Sequence, residues 1–166
     1  MAIQAPIPPF QILLDEHRDY VYRFLVAAVG PLDADDCFQE TFIAALRAYP
    51  RLRDASNLRS WVLTIAHRKA IDAHRARRRR AVPVEEVPER PTAAFPDGNP
   101  YGEPDGEPEL WDAVRELPAK QRESILHRFV NDLPYAEIGR IVGCSEAAAR
   151  QNVRAGLTSL RGAWDR

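Results

Sequence analysis

No stretch of the 166-residue chain approaches the roughly 20 consecutive apolar residues that a membrane helix needs, so no membrane insertion is expected. Met1 to Pro9 carries no basic segment followed by an apolar core, which predicts the absence of a secretory signal and a cytoplasmic location. Only two cysteines occur, Cys37 and Cys144. They form no C-x-x-C pair and sit in separate helical patterns, so they read as small buried residues of a reduced cytosolic protein rather than as a disulfide. There is no glycine-rich phosphate loop, no set of metal ligands at ligand spacing and no nucleophile beside a base. These gaps predict a protein that is not an enzyme, with no cofactor, no metal and no catalytic residue. No sequence period of about 20 to 50 residues recurs, which excludes a repeat architecture.

What is present is a strong segregation of charge behind a net charge of −1. Met1 to Val82 holds 13 Lys/Arg against 9 Asp/Glu, Pro83 to Glu109 holds 1 against 8, and Leu110 to Arg166 holds 9 against 7. Two mildly basic lobes therefore flank an acidic strip, an arrangement that permits nucleic-acid binding by the lobes. The strip also takes 7 of the 14 prolines and 3 of the 8 glycines. It cannot bury enough apolar surface to offset its ordering entropy, and this predicts a flexible linker. Fully extended it could span about 90 Å, so the lobes need not touch.

The lobes themselves read as helical. Phe10, Leu13, Leu14, Tyr20, Val21, Phe24, Leu25 and Ala28 recur at spacings of three and four, predicting an amphipathic helix that ends near Gly30-Pro31. A second helix is expected from Asp33–Asp36 to about Tyr49, with Cys37, Thr41, Phe42, Ala45 and Leu46 inward and Pro50 closing it. A third runs from about Leu58 to Arg79 with Trp61, Val62, Ile65, Ala66 and Ile71 as its expected core face. It ends in Arg75-Ala-Arg-Arg-Arg-Arg, a dense positive patch that suits either solvent or nucleic acid. His67 and His74 have no Cys or His partner at ligand spacing and are expected at the surface or facing DNA. In the second lobe four helices are expected, one from about Pro108 to Glu116, one from Ala119 to Val130 and two more beyond.

Those last two helices carry the most informative stretch. Asp132 to Arg154 reads as a short helix, a glycine-bearing turn and a second helix, the sequence form of a helix-turn-helix. Pro134 suits a helix start, and Ile138, Ile141 and Val142 form an apolar stripe. Gly143 suits a left-handed helix end, Ser145 is a good N-cap, and Glu146 sits at the positive end of the next helix dipole. That next helix is expected to bury Ala149, Val153, Leu157 and Leu160. Its other faces carry Arg150, Gln151, Asn152 and Arg154, side chains that suit phosphates and base edges.

Three further motifs, in order, resemble a known family. Asp36-Cys-Phe-Gln-Glu-Thr-Phe42 is similar to the D-x-x-Q-E-T-F signature of region two in bacterial sigma factors of the extracytoplasmic-function group, and Ser60-Trp-Val-Leu-Thr-Ile-Ala-His-Arg-Lys-Ala-Ile-Asp72 is similar to their S-W-L-x-x-I-A-x-N-x-x-I-D helix. Leu117-Pro-Ala-Lys-Gln-Arg122, followed by Leu133-Pro-Tyr-Ala-Glu-Ile-Gly139 and Gly143-Cys-Ser145, resembles their region four. The resemblance runs from about Phe10 to Arg161. It implies an all-α chain of two small helical domains: a region-two bundle of three or four helices over 1–82, a flexible linker over 83–109 and a region-four helix-turn-helix domain over 110–166.

The resemblance also implies functions. The protein would be a transcription initiation factor that binds core RNA polymerase, through its largest and beta subunits, directs it to promoter DNA and helps to melt it. Asp35, Asp36, Gln39 and Glu40 would bind polymerase, since a polar, acidic helix face can pair with basic residues of a partner helix and fix register. Asn57, Arg59 and Ser60 would contribute to a base pocket for the minus-ten element, and Arg68, Lys69 and Arg75 to backbone contacts. Trp61 has two readings, a minus-ten contact or core packing beside Val62 and Ile65. For the minus-thirty-five element the recognition residues would be Ser145, Ala147, Ala148, Arg150, Gln151, Asn152 and Arg154. Here the family pattern S-x-G-T-V-K-S-R becomes Ser145-Glu-Ala-Ala-Ala-Arg-Gln-Asn152, and Gly156 replaces a frequent basic residue. Ala147 or Ala148 against thymine methyls, with Gln151 or Asn152 on adenine, is one way of reading DNA that this leaves. An anti-sigma protein is an implied partner, and the acidic linker would either enter polymerase channels or serve as a tether. The rival reading is a stand-alone helix-turn-helix regulator of transcription, which leaves the first 82 residues without a purpose.

Overall fold

The computed structural model describes residues 6–80 and 107–165 of the chain, so most of the expected linker over 83–109 lies outside the described residues. Among the described residues there are only helices and turns. The first lobe consists of α1 (Phe10–Val29), α2 (Pro31–Ala48), a 3-10 turn at Tyr49–Arg51 and α3 (Leu58–Arg79). The second consists of α4 (Pro108–Arg115), α5 (Ala119–Phe129), α6 (Tyr135–Val142) and α7 (Glu146–Trp164). None of these helices is long and apolar enough to cross a membrane.

In the first lobe, Gly30 breaks the chain between α1 and α2 at φ +85°, a conformation that favours glycine, and Pro31 opens α2 where no N–H is needed. The side chain of Asn57 caps α3, accepting from the Ser60 amide at 3.0 Å. Early in α1, Leu13 is buried while its neighbours Ile12 and Asp15 are exposed, as an amphipathic stripe requires. Its last two turns are different. Every residue from Phe24 to Val29 is buried. A helix covered on all sides must be enclosed by neighbours on all sides, and α2 and α3 alone do not do it.

The second lobe completes the enclosure. Leu126, Leu133 and Ile138 belong to the same buried cluster as Phe24, Leu25 and Leu63, so the two lobes share a continuous core. Each such side chain contributes about 1.5–3 kcal/mol through burial, and the lobes therefore sit against each other in spite of the length of the segment that joins them. Within the second lobe, Leu117, Ile125 and Val153 make a smaller cluster that fixes α5 on α7.

Several expected core positions shift by one helical step. Leu46 and Leu157 were expected inward and are 54% and 39% exposed. On α3 the buried residues are Val62, Leu63, Ala66, His67 and Ala70, with Ile65 and Ile71 only half-buried. The inward face of α3 is turned by one residue because it meets α5 and α6 as well as α1 and α2. On α7 the buried residue is Gly156 in place of Leu157. A Cβ at Gly156 would overlap the Ile125 side chain, so glycine permits the close approach of α5 and α7.

The helix-turn-helix follows its sequence signals closely. Gly143 is left-handed at φ +77°, and the amides of Gly143 and Cys144 both return to the Gly139 carbonyl at 2.9 Å. Ser145 Oγ then accepts from the Ala148 amide at 3.1 Å and starts α7. Ser145→Ala is expected to lower stability by about 1 kcal/mol, seen as a shift of the denaturation midpoint with an unchanged slope.

Candidate nucleic-acid interface

The proposed minus-ten residues lie on α3 and at its cap, and the structure divides them. Arg68 and Arg75 are exposed on the outer side of α3, Lys69 is half-exposed, and Arg77 to Arg80 continue the basic run into its last turn. Arg77 is paired with Asp33 at 3.1 Å, on the surface. Asn57 and Arg59 are instead engaged by the second lobe. Asn57 Nδ2 donates to Glu137 Oε1 at 3.1 Å, and the Arg59 guanidinium donates to the Asn131 carbonyl while lying 4.4 Å above the Tyr20 ring. Ser60 is half-buried. Trp61 is half-buried at the edge of the core, 6.1 Å from the Tyr49 ring, an arrangement consistent with packing.

The two α3 histidines depart from expectation. His67 is buried in the seam between lobes, its Nδ1 3.2 Å from Nε2 of His127, and His74 is half-buried with Nε2 donating to the Ala28 carbonyl at 2.7 Å. Both face inward because they lie on the side of α3 that packs against α1 and the second lobe. Burial holds His67 down to about 4, helped by the nearby positive charges of Arg68 and Arg122.

On α2, Asp36, Gln39 and Glu40 are exposed, whereas Asp35 is half-buried and accepts a hydrogen bond from the Tyr22 hydroxyl at 2.8 Å. That hydroxyl is pushed upward, first by burial and then by the bond to Asp35. Asp35 thus has a fixed structural partner in Tyr22. The stripe of Asp36, Gln39 and Glu40 is bordered by Leu32, Ile43 and Leu46, which are 66%, 49% and 54% exposed. These apolar residues were missed in the sequence, where Leu46 fits the inward period. Beneath the stripe, burial, followed by the carboxylates of Asp33, Glu40 and Asp36, pushes the Cys37 thiol up to about 12, so it stays protonated and inert.

On α7, Ala147, Arg150, Gln151 and Arg154 are exposed, Ala148 and Asn152 are half-buried, and the exposed Ser145 is committed to its cap. Arg150 is held by Glu146 at 2.5 Å and lies 5.2 Å from the Tyr135 ring, whose other neighbour is the Arg128 guanidinium at 4.8 Å. Tyr135, Arg150, Arg154, Thr158 and Arg161 border one shallow groove, a run of positive charge along the exposed side of the helix.

Residues 13–80, all of α3 included, match the model of sigma-70 region 2, and residues 108–160 match that of sigma-70 region 4. The chain belongs to the extracytoplasmic-function group of the sigma-70 family. The sigma factor SigD of Mycobacterium tuberculosis is 35% identical over 156 residues, covering 90% of this chain and 74% of that protein. CarQ of Myxococcus xanthus, an RNA polymerase sigma factor, is 32% identical over 155 residues, covering 92% and 87%. In fold, the sigma factor RpoE of Bartonella quintana, solved with the anti-sigma factor NepR, aligns over 92% of this sigma factor and 94% of that chain with a TM-score of 0.71 at 23% identity. Region 2 therefore corresponds to the first lobe and region 4 to the second.

Proposed function

We propose that the protein is a transcription initiation factor that binds core RNA polymerase and directs it to promoters with two recognition elements. The observation that carries this reading is the pairing, on one chain, of an exposed α2 stripe of mixed polar and apolar residues with an exposed, capped recognition helix bearing Arg150, Gln151 and Arg154. In this reading α2 docks on polymerase through Asp36, Gln39 and Glu40, with Ile43 and Leu46 adding apolar contact and Asp35 orienting the helix. Asn57, Arg59 and Ser60 hold unpaired minus-ten bases, and Arg68, Lys69 and Arg75 hold the backbone. The N-terminal turns of α7 enter the major groove at minus thirty-five. Region 2 spans 1–82 and region 4 spans 110–166, the acidic segment 83–109 between them acting as a tether. The factor works in the cytoplasm, on the nucleoid, and has no catalytic activity of its own. An anti-sigma protein is its regulatory partner by likeness to RpoE of Bartonella quintana and to CnrH, which was solved with the cytosolic domain of CnrY.

The test is a labelled promoter duplex mixed with the purified chain, with and without core polymerase. Specific binding that requires polymerase is the expected result; tight, specific binding by the chain alone would instead make it a stand-alone regulator. In the holoenzyme, replacing both Arg150 and Arg154 by Ala is expected to remove two phosphate contacts. The slope of log K against log salt should then fall by roughly 2, with weaker binding to all sequences alike.

A further inference from the structure

The seam between the lobes is more specific than apolar packing requires. At one end Arg115 of α4 donates from Nε to the Ala27 carbonyl at 3.2 Å and from Nη2 to the Val26 carbonyl at 3.0 Å, closing carbonyls at the C-terminal end of α1. At the other end Asn57 and Arg59 are tied to Glu137 and to the Asn131 carbonyl. Between them lies a buried polar line. Asn131 Nδ2 is 3.0 Å from His127 Nδ1, His127 Nε2 is 3.2 Å from His67 Nδ1, and His67 Nε2 is 3.7 Å from Glu123 Oε2. His127 is wholly buried and stacks on Phe24 with ring centroids 4.7 Å apart.

With the Asn131 amide nitrogen toward His127, this line has one consistent proton arrangement. Asn131 donates to His127 Nδ1, which must then be bare, so His127 carries its proton on Nε2 and donates to a bare His67 Nδ1. His67 in turn keeps its proton on Nε2, directed toward Glu123. A second proton on either ring would set two N–H groups face to face, at His67 Nδ1 or against the Asn131 amide. Gln39 and Glu40 of α2 stay exposed, as do Ala147, Arg150, Gln151 and Arg154 of α7. Among the described first-lobe residues assigned to function, Asn57 and Arg59 have polar groups taken up by the second lobe, although Asn57 itself stays exposed.

We propose that the seam is an autoinhibitory latch in which region 4 ties up the minus-ten side chains of Asn57 and Arg59 through Glu137 and the Asn131 carbonyl, locked by His67 and His127 only while both imidazoles are neutral. Polymerase can then dock on α2 while the chain is still closed, and base reading follows release. That the bonds at Asn57 and Arg59 compete with DNA rests on the proposed reading of those residues; the closure itself does not.

The charged groups around the pair set the sign of its pH dependence. His67 faces Arg68 from its own helix and Arg122, Glu123 and His127 from α5, and His127 stacks on the uncharged Phe24 ring of α1. Burial lowers His67 and, further, His127, so the closed chain binds fewer protons than the open one. The contribution of His67 to closure is fully present above the ordinary imidazole value of about 6.5 and is lost as pH falls from there through about 4. Glu123, raised by burial against the attraction of Arg122, Arg75 and Lys120, opposes this in the acid range.

Small-angle X-ray scattering on the full chain tests the latch without polymerase or DNA. At pH 7.5 a radius of gyration near 15 Å, that of a single compact body, is expected. An open chain with tethered lobes would give roughly 20 Å. Arg59→Ala combined with Arg115→Ala removes seam bonds without entering either core and should shift the chain toward the larger value. Between pH 7.5 and 5.5 the ratio of open to closed wild-type chain should rise about tenfold through His67 alone. With Glu123→Gln in the background this rise should grow, and with His67→Gln it should shrink. A wild-type chain already expanded at pH 7.5, or a seam variant as compact as wild type, overturns the latch. Minus-ten affinity of holoenzymes carrying Asn57→Ala or Arg59→Ala decides the reading of the pocket separately.

Discussion

Replacing Gln39 and Glu40 together by alanine is expected to weaken association with core polymerase by about 30-fold or more, while leaving the fold intact. Both side chains are exposed on α2 and lie at the centre of a stripe whose borders are the exposed Leu32, Ile43 and Leu46. Polar residues at the centre of a patch, ringed by apolar neighbours that exclude water, are the positions at which truncation costs most, about 2 kcal/mol or more when the pair acts together. Exposure also limits the cost to folding to about 0.5 kcal/mol. Competitive binding of labelled core enzyme measures the first effect, and denaturation of the variant measures the second. Unchanged polymerase affinity would count against docking through α2. Asp35→Asn provides a contrast, because its carboxylate already accepts from Tyr22 within the chain; its larger effect should be on stability.

Gly139→Ala is expected to cost about 2–3 kcal/mol and to abolish recognition by α7. The added Cβ would lie 2.6 Å from the Cys144 carbonyl oxygen, 3.2 Å from the Ser145 carbonyl carbon and 3.3 Å from the Glu146 amide nitrogen. All three are backbone atoms, so no side chain can swing aside. The turn itself must shift, and it carries both the left-handed Gly143 and the Ser145 cap that aims the recognition helix. Overpacking of a tight contact typically costs 1–3 kcal/mol, and the upper part of that range applies where backbone is the obstacle. Chemical denaturation gives the stability and holoenzyme footprinting over minus thirty-five the recognition. A variant with wild-type stability and footprint would mean that the turn tolerates a different path than the one described here.

Much of the architecture was legible because local signals agreed with one another. Gly30-Pro31, Gly143 and Ser145 each combine a backbone preference with a place in a helical pattern, and the helices start and stop at or beside them. What the sequence concealed are consequences of one lobe resting on the other. Phe24 to Val29 is an unbroken apolar run within α1, and a one-sided stripe does not explain it. Such a run means coverage on every side, and that sign of contact between the lobes outweighs the length of the linker, which only permits separation. The same contact turns His67 and His74 inward and occupies Asn57 and Arg59. Leu46 was misplaced for a different reason: an apolar residue at helical spacing looks alike whether it faces the chain's own core or a partner. Gly156 looked like a lost basic residue, whereas the proximity of Ile125 makes it a packing residue, and no single-helix pattern carries that information.

The account stands on the chain acting as the specificity subunit of a polymerase. Run-off transcription measures this most directly, with purified core enzyme, the full chain and a library of genomic promoter fragments. RNA with a defined 5′ end should appear only when the chain is present, from fragments that share two elements spaced for α3 and α7. If core enzyme supplemented with the chain gives no start-site-dependent RNA from any fragment, the central claim is contradicted.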